Sequence, residues 1–504
     1  MKKILLFGAG KSATVLIDYL LKNALAEDWT VIVVDANLAL AQSKIGNALA
    51  GEALSFDIND VSERGKHIQQ ADIVISLLPP ALHILVAKDC ITYQKNLLTA
   101  SYVDEQMRSL EQSIKDRNIL FLCEMGLDPG IDHMSAKKMI DNIEAEGGSI
   151  TSFYSHCGGL VAPESDNNPW HYKISWNPRN VVLAGKAGAI FKEGGTVKEM
   201  PYEQLFAEKR FVDIPDHEPL CWYPNRDSLS YIPTYGLTNC GTFIRTTLRH
   251  PDYMYGWKNI IELKLTDEEK RYETTGMTLK RFFQEHLQLH GFDNWLQEQM
   301  QEQFQSSKKI LEDLVSLVEL EEKVDEVGGE PVEEFMMVNE KGSLQQIDLD
   351  ELKTHAAATV AHKMHEAKLT LKQLFFLGMD DNQTVINRGL CSAADVLQFA
   401  LETKLGLQAG DKDLVVMVHE IEYQLKDKLY KETASLLITG DDDVHTAMAK
   451  TVGLPLGIAA KYILNGKISV KGLHIPILKE IYEPVLHELA ANGIVFQEKL
   501  NQFS

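Results

Sequence analysis

Ile4-Leu5-Leu6-Phe7 runs straight into Gly8-Ala9-Gly10-Lys11-Ser12-Ala13, and the pattern that follows is helical. A strand that turns on two glycines into a helix leaves few folds open. Glycine at 8 permits the tight turn, glycine at 10 lets backbone approach a pyrophosphate, and Ala13 is small enough for close helix–strand packing. The free N–H groups and partial positive charge of the helix start then favour phosphate. Asp35 closes the next apolar run, 25 residues after Gly10. A carboxylate there accepts hydrogen bonds from ribose hydroxyls and repels a 2′-phosphate. The first arginine in the chain is Arg64, so charge alone favours NAD over NADP.

Apolar runs at residues 3–7, 30–34, 54–57, 73–77, 96–100 and 119–123 predict six strands, mostly separated by segments of helical spacing. Strands buried on both faces read as continuous apolar runs, and their alternation with helices gives a parallel sheet. The expected fold class is α/β: an N-terminal Rossmann doubly wound parallel sheet, an α/β substrate-binding domain and a helical domain. The Rossmann domain is expected over 1–126, with the C-terminal helices, about 444–504, free to pack back on it. Turn residues and aromatics crowd residues 126–255, which suits a binding domain over 127–264 joined by 412–443. Within the second part, 414–425 and 432–439 read as paired strands, and beyond it 444–465 and 476–492 read as helices.

The helical domain is expected over 265–411, where 278–304 is rich in Gln, Leu, Phe and His and 308–327 carries apolar residues at helical spacing with many Glu. It holds an acidic insertion, about 290–355, expected as a solvated helical extension. Inside that insertion, Gly328-Gly329-Glu330-Pro331 predicts a solvated turn or mobile loop.

A formal charge of −22 gives no basic face for nucleic acid or an anionic membrane, so a small-molecule substrate is the expected partner. No apolar stretch reaches the roughly 20 residues of a membrane span. The start, MKKILLFGAG, breaks its apolar run at Gly8 and reads as a strand rather than a signal peptide. Six cysteines without a CxxC pair form neither a disulfide framework nor a zinc site; they point to a reducing cytoplasm, and no metal is expected.

The second domain opens with Glu124-Met-Gly-Leu-Asp-Pro-Gly-Ile-Asp-His133. Together with Ser155-His-Cys-Gly-Gly-Leu160, Tyr172-Lys-Ile-Ser-Trp176, Tyr223-Pro-Asn-Arg-Asp-Ser228 and Arg245-Thr-Thr-Leu-Arg249, this resembles the L-glutamate-forming saccharopine dehydrogenases, also called saccharopine reductases. Ser76-Leu-Leu-Pro79, Ala100-Ser-Tyr102 and the tail from Ala447 to Ala460 extend the resemblance to nearly the whole chain outside 290–355. It implies oxidation of saccharopine by NAD or NADP, hydrolysis of the resulting imine to 2-aminoadipate 6-semialdehyde and L-glutamate, and a homodimer.

The resemblance also implies residues. Substrate would meet Ser101, Tyr102, Asp128, Arg226, Thr247, Leu248 and Arg249, and guanidinium forks suit the three carboxylates of saccharopine. Asp128 would hold the substrate ammonium or steer its proton, with Tyr102 and Cys157 as further proton donors or acceptors; as bases, these two need lowered pKa values. Cofactor would meet Gly8, Ala9, Gly10 and Lys11, then Asp35, Asp57 and Ile58, then Leu78, Ala100 and Asn177. It would also meet the loop Leu127, Asp128, Pro129, Gly130, Ile131, Asp132, His133 and Met134. His133 and His156 read as structural rather than as general bases. Fungal members carry arginine where this chain has Asp35, which sets the family's NADP against the charge argument for NAD. Competing readings are another imine dehydrogenase, such as one acting on carboxynorspermidine, and a non-catalytic dinucleotide sensor. The two substrate-domain arginines disfavour the first, and the full set of loops disfavours the second.

Overall fold

The computed structural model describes residues 1–326, 334–338 and 344–503. It comprises two compact units, one of Met1–Asn167, His171–Pro251 and Leu405–Ser504, the other of Asn168–Trp170 and Asp252–Lys404. Both large sheets lie within the first unit.

In the first unit the apolar runs become strands β1 (Lys2–Phe7), β2 (Trp29–Val34), β3 (Gly51–Leu54), β4 (Ile73–Ser76), β5 (Asn96–Thr99) and β6 (Leu120–Leu122). Among the described residues they form a parallel sheet in the order β3-β2-β1-β4-β5-β6, extended beyond β6 by Gly472–His474. That order reverses between β1 and β4, which opens a crevice at the strand carboxyl ends. The third strand lies at Gly51–Leu54 instead of 54–57. Its pairing stops where β2 stops, Val34 opposite Leu54, and Asp57 then turns the chain by accepting the Asn59 amide at 2.9 Å.

The C-terminal helix Ala447–Leu464 packs on the helix Thr14–Ala24. Two glycines make that approach possible: a Cβ on Gly453 would stand 2.8 Å from the Leu16 amide, and one on Gly457 would stand 2.6 Å from the Tyr19 ring. Buried Asp413 secures the same helix to the second sheet by accepting the amides of Ala447 and Met448 at 2.6 and 3.0 Å.

The second sheet centres on β7 (Ser149–Val161), flanked by Thr242–Arg249 running parallel and Asp413–Leu425 running antiparallel. Lys428–Thr439 continues it; this strand starts four residues before the expected 432 because Lys426 and Asp427, at φ +49° and +61°, make a two-residue hairpin turn.

The second unit takes up the chain again at Asp252. Helix Pro251–Glu262 stacks Tyr253 on Trp257 at 5.2 Å, and both meet Trp170 edge-on. Within the mainly helical region expected here, 278–304 falls in two helices, Leu279–Leu289 and Trp295–Glu326, parted by Gly291 at φ +72°. The insertion is not wholly helical: Glu334–Val338 pairs antiparallel with Leu344–Asp348. The Gly328–Pro331 turn lies outside the described residues.

Candidate active site

Every strand of the first sheet that matters here ends toward the same crevice. After β1, Gly8 adopts φ +100°, and a Cβ there would stand 2.9 Å from the Leu77 carbonyl; only glycine lets the β1 and β4 exits lie this close. A Cβ on Gly10 would meet nothing within 4 Å, so the backbone is open to an incoming group. Asp35 spans the exits of β1 and β2: its Oδ2 accepts the Ala9 amide at 2.8 Å and its Oδ1 the Asn37 amide at 2.9 Å. An open glycine turn, a helix start and a fixed carboxylate at the second strand fit a dinucleotide. Lys11 extends its Nζ to 3.5 Å from the Ile174 carbonyl. Asp57 is exposed, and two hydrogen bonds from Asn59 hold its carboxyl below the usual range; Ile58 and Leu78 are half-buried. Exposed Asn177 caps the short helix Pro178–Val182 by accepting the Arg179 amide.

Past β5 the chain turns through Ala100, Ser101 and Tyr102. His83, almost wholly buried, bridges Ser76 Oγ and Ser101 Oγ at 2.8 Å each, so the imidazole orients the Ser101 hydroxyl. Burial pushes this histidine down to about 4, so it is neutral near pH 7.

The loop after β6 folds back beside Ala100. Met125 donates to the Thr99 carbonyl at 3.0 Å, and Gly126 to the Pro129 carbonyl at 2.9 Å; the Asp128–Pro129 peptide is cis. Gly130 stands at φ +147°, where a Cβ would lie 2.1 Å from the Gly126 carbonyl oxygen. Leu127, Pro129, Gly130, Ile131, Asp132, His133 and Met134 are buried. A cofactor could therefore meet this expected loop through Asp128 and backbone rather than through those side chains. His133 lies inside, its Nε2 2.8 Å from Glu124 Oε2 and its Nδ1 2.5 Å from the Tyr235 hydroxyl.

Asp128 is where the two sheets meet chemically. Its Oδ1 accepts from the Tyr102 hydroxyl at 3.1 Å and from Arg245 Nη2 at 2.6 Å; the same nitrogen donates to Asp132 Oδ2 at 2.8 Å. Arg245 lies over the Tyr231 ring at 4.4 Å, and exposed Arg226 stands over the other aromatic of the cluster, Tyr102, at 5.2 Å. Burial raises the Asp128 carboxyl, and Asp132 adds to that against the pull of Arg245. For Asp132, burial is outweighed by His133, Arg245 and the Gly130 amide, and its carboxyl lies below the usual range.

Tyr102 and Cys157 depart from what proton-accepting roles would need. Burial, then the negative field of Asp128, pushes both well above their ordinary values, so they stay protonated and can serve only as donors. Cys157 pairs in register with half-buried Thr247, and its thiol also feels Arg249 and Arg245. Arg249 is buried, with Nη1 on the Leu248 carbonyl at 2.8 Å and its guanidinium 5.4 Å from the Tyr172 ring. The Leu248 side chain is fully buried against Gly158, where an added Cβ would stand 2.7 Å from it. Buried His156 joins Thr246 on the other face, at 2.6 Å.

Arg245, Glu124, Tyr231 and His83 were not among the expected site residues. A strand alternates its faces, so Arg245 shares the face of Thr247 and Arg249; that periodicity could have found it. The Glu124 and His83 partners depend on folding and leave no comparable local trace.

A family model described as the saccharopine dehydrogenase NADP binding domain matches residues 4–122, and one for the saccharopine dehydrogenase C-terminal domain matches 126–494. The chain is 32% identical to alpha-aminoadipic semialdehyde synthase of Arabidopsis thaliana over 94% of its own length, and spans 41% of that protein. It spans 47% of the mitochondrial synthase of Bos taurus, at 31% identity. Saccharopine dehydrogenase [NADP(+), L-glutamate-forming] of Pyricularia oryzae is 30% identical, with 99% of each chain covered. The solved apo saccharopine dehydrogenase (L-Glu forming) of Saccharomyces cerevisiae aligns with a TM-score of 0.77 at 28% identity, over 99% of this chain and 100% of that one. Among the described residues no helix is long and apolar enough to cross a membrane.

Proposed function

The chain belongs to the saccharopine dehydrogenase family, and from that premise we propose that it oxidises saccharopine, with NAD or NADP, to 2-aminoadipate 6-semialdehyde and L-glutamate in lysine metabolism. The observation that supports this most is Asp128, held between Tyr102 and Arg245. Hydride chemistry at a secondary amine needs a polar group that holds the amine and takes its proton, and a half-buried carboxylate does both. A nicotinamide held on the Gly8–Gly10 turn would supply the hydride acceptor for the carbon beside the substrate nitrogen. Asp128 accepts the N–H proton, water adds to the C=N bond, and the C–N bond breaks to free glutamate. Tyr102, which stays protonated, supplies a hydrogen bond, and Arg226 offers a guanidinium to a substrate carboxylate.

The carboxylate of Asp35, fixed by the Ala9 and Asn37 amides, supports NAD as the preferred cofactor. Cytoplasmic placement is supported by six buried cysteines that form no disulfide among the described residues, and a homodimer by the family resemblance. The test is saccharopine offered with NAD+ and with NADP+, with glutamate measured directly. One glutamate should form per cofactor reduced, faster with NAD+, and Asp35→Arg should turn that preference toward NADP+. No turnover with either nicotinamide would refute the activity; an unmoved preference in Asp35→Arg would remove Asp35 from cofactor choice.

A further inference from the structure

We propose that Asp132 and Arg245 are positioning residues: they divide one guanidinium between two carboxylates and so set the negative charge that Asp128 offers the substrate amine. It rests on the role proposed for Asp128 above.

Three observations carry it. Arg245 Nη2 is shared, 2.6 Å from Asp128 Oδ1 and 2.8 Å from Asp132 Oδ2. Asp132 is 1% exposed, so it cannot reach a ligand, and its Oδ1 is held by the Gly130 amide at 2.6 Å. Arg245 is 4% exposed, and its Nε is buried without a hydrogen-bond partner among the described residues, so the cation is committed to this one cluster.

The groups facing Asp128 come from every element around it. Tyr102 reaches it from the turn after β5, Arg245 from Thr242–Arg249, and Cys157 lies within its field on β7; Asp132 and His133 follow it in its own segment. Alone beside Arg245, an aspartate would be held strongly ionised, its pKa down by about 1–3. A carboxylate that never leaves the anionic form binds an ammonium well but takes a proton poorly. Burial raises the Asp128 carboxyl most, and Asp132 works in the same direction by drawing on the same nitrogen and adding its own negative field. Asp128 is thereby left able to cycle between charged and protonated forms, while Asp132, anchored by Gly130 and faced by His133, keeps the charge.

The test is kcat/KM for saccharopine against pH in the parent, Asp132→Asn and Arg245→Gln. Asn keeps an acceptor for Gly130 but removes the competing charge, so the acid limb should move down by about one pH unit. Removing the guanidinium charge should move it up. A purely structural role would lower rates without opposite displacements. Arg245→Lys, which keeps the charge, should restore the limb toward that of the parent and covers the case in which the Gln variant does not fold. Limbs that stay in place, or move the same way, in a parent that turns over saccharopine would overturn the proposal. If the parent does not turn over saccharopine, the function proposed above fails instead. The protonated-carboxyl infrared band of Asp128, assigned by difference against Asp128→Asn, still decides the pairing: its titration should shift down in Asp132→Asn and up in Arg245→Gln, and no shift refutes it.

Discussion

The two sheets of the first unit do their work differently. In the parallel sheet, strand interiors are apolar and sealed, and the chemistry sits on the turns that leave β1, β2, β4, β5 and β6. Gly8 and Gly10 contribute by lacking side chains. In the second sheet the chemistry sits inside the strands: Arg245, Cys157 and Arg249 are buried side chains within the ladder. A turn can present backbone to phosphate at little cost to the core. A buried guanidinium must be neutralised where it lies, and here Asp128 and Asp132 neutralise it.

The contrast is tested most severely at Arg245. Arg245→Met leaves two carboxylates without their shared cation, and breaking a buried pair in this way costs about 3–5 kcal/mol; urea unfolding should show that loss. The buried histidines come next. Burial pushes His83, and His419 of the strand Asp413–Leu425, which sits fully buried with Nε2 2.7 Å from Ser135 Oγ, from 6.5 to about 4, so each binds its proton more readily in the unfolded chain. Their contribution is complete above about pH 6.5 and is lost as pH falls toward 4, by up to about 3 kcal/mol each. Unfolding midpoints should climb with pH across that window, and the climb should flatten in His83→Gln and His419→Gln.

A smaller effect is expected at the exposed Arg226. Arg226→Ala should raise the saccharopine KM over tenfold, about 1.4 kcal/mol or more, and leave cofactor affinity unchanged; a KM within twofold of the parent would remove it from the site. The smallest effect on stability belongs to the first sheet. Gly10→Ala has open space for its Cβ and an extended backbone that alanine adopts. Its unfolding free energy should stay within about 0.5 kcal/mol of the parent while the cofactor Kd rises, as fluorescence titration would report.

The same contrast decides what was legible before folding. The glycine turn, Asp35 and most strands of the first sheet follow from local pattern, because each turn needs only its own residues. The slip at 54–57 came from an apolar run that continues past the last residue β2 can pair. Asp128, on the loop after β6, and Arg226, in the second sheet, follow from motif resemblance, but their partners do not. Arg245 reaches Asp128 across 117 positions, and Glu124 meets Tyr231 across 107. Nothing local marks such distant pairs. The directions of the Tyr102 and Cys157 shifts were equally hidden, since burial and the neighbouring carboxylates that raise them come from tertiary packing.

A structure with nicotinamide dinucleotide and saccharopine bound together would test the division of labour most directly. Pyrophosphate is expected against Gly8–Gly10, the substrate nitrogen on Asp128 beside Tyr102, and nicotinamide about 3–3.5 Å from the adjoining carbon. Saccharopine bound away from Asp128 and Arg226, with Arg245 facing neither it nor the two carboxylates, would contradict this arrangement.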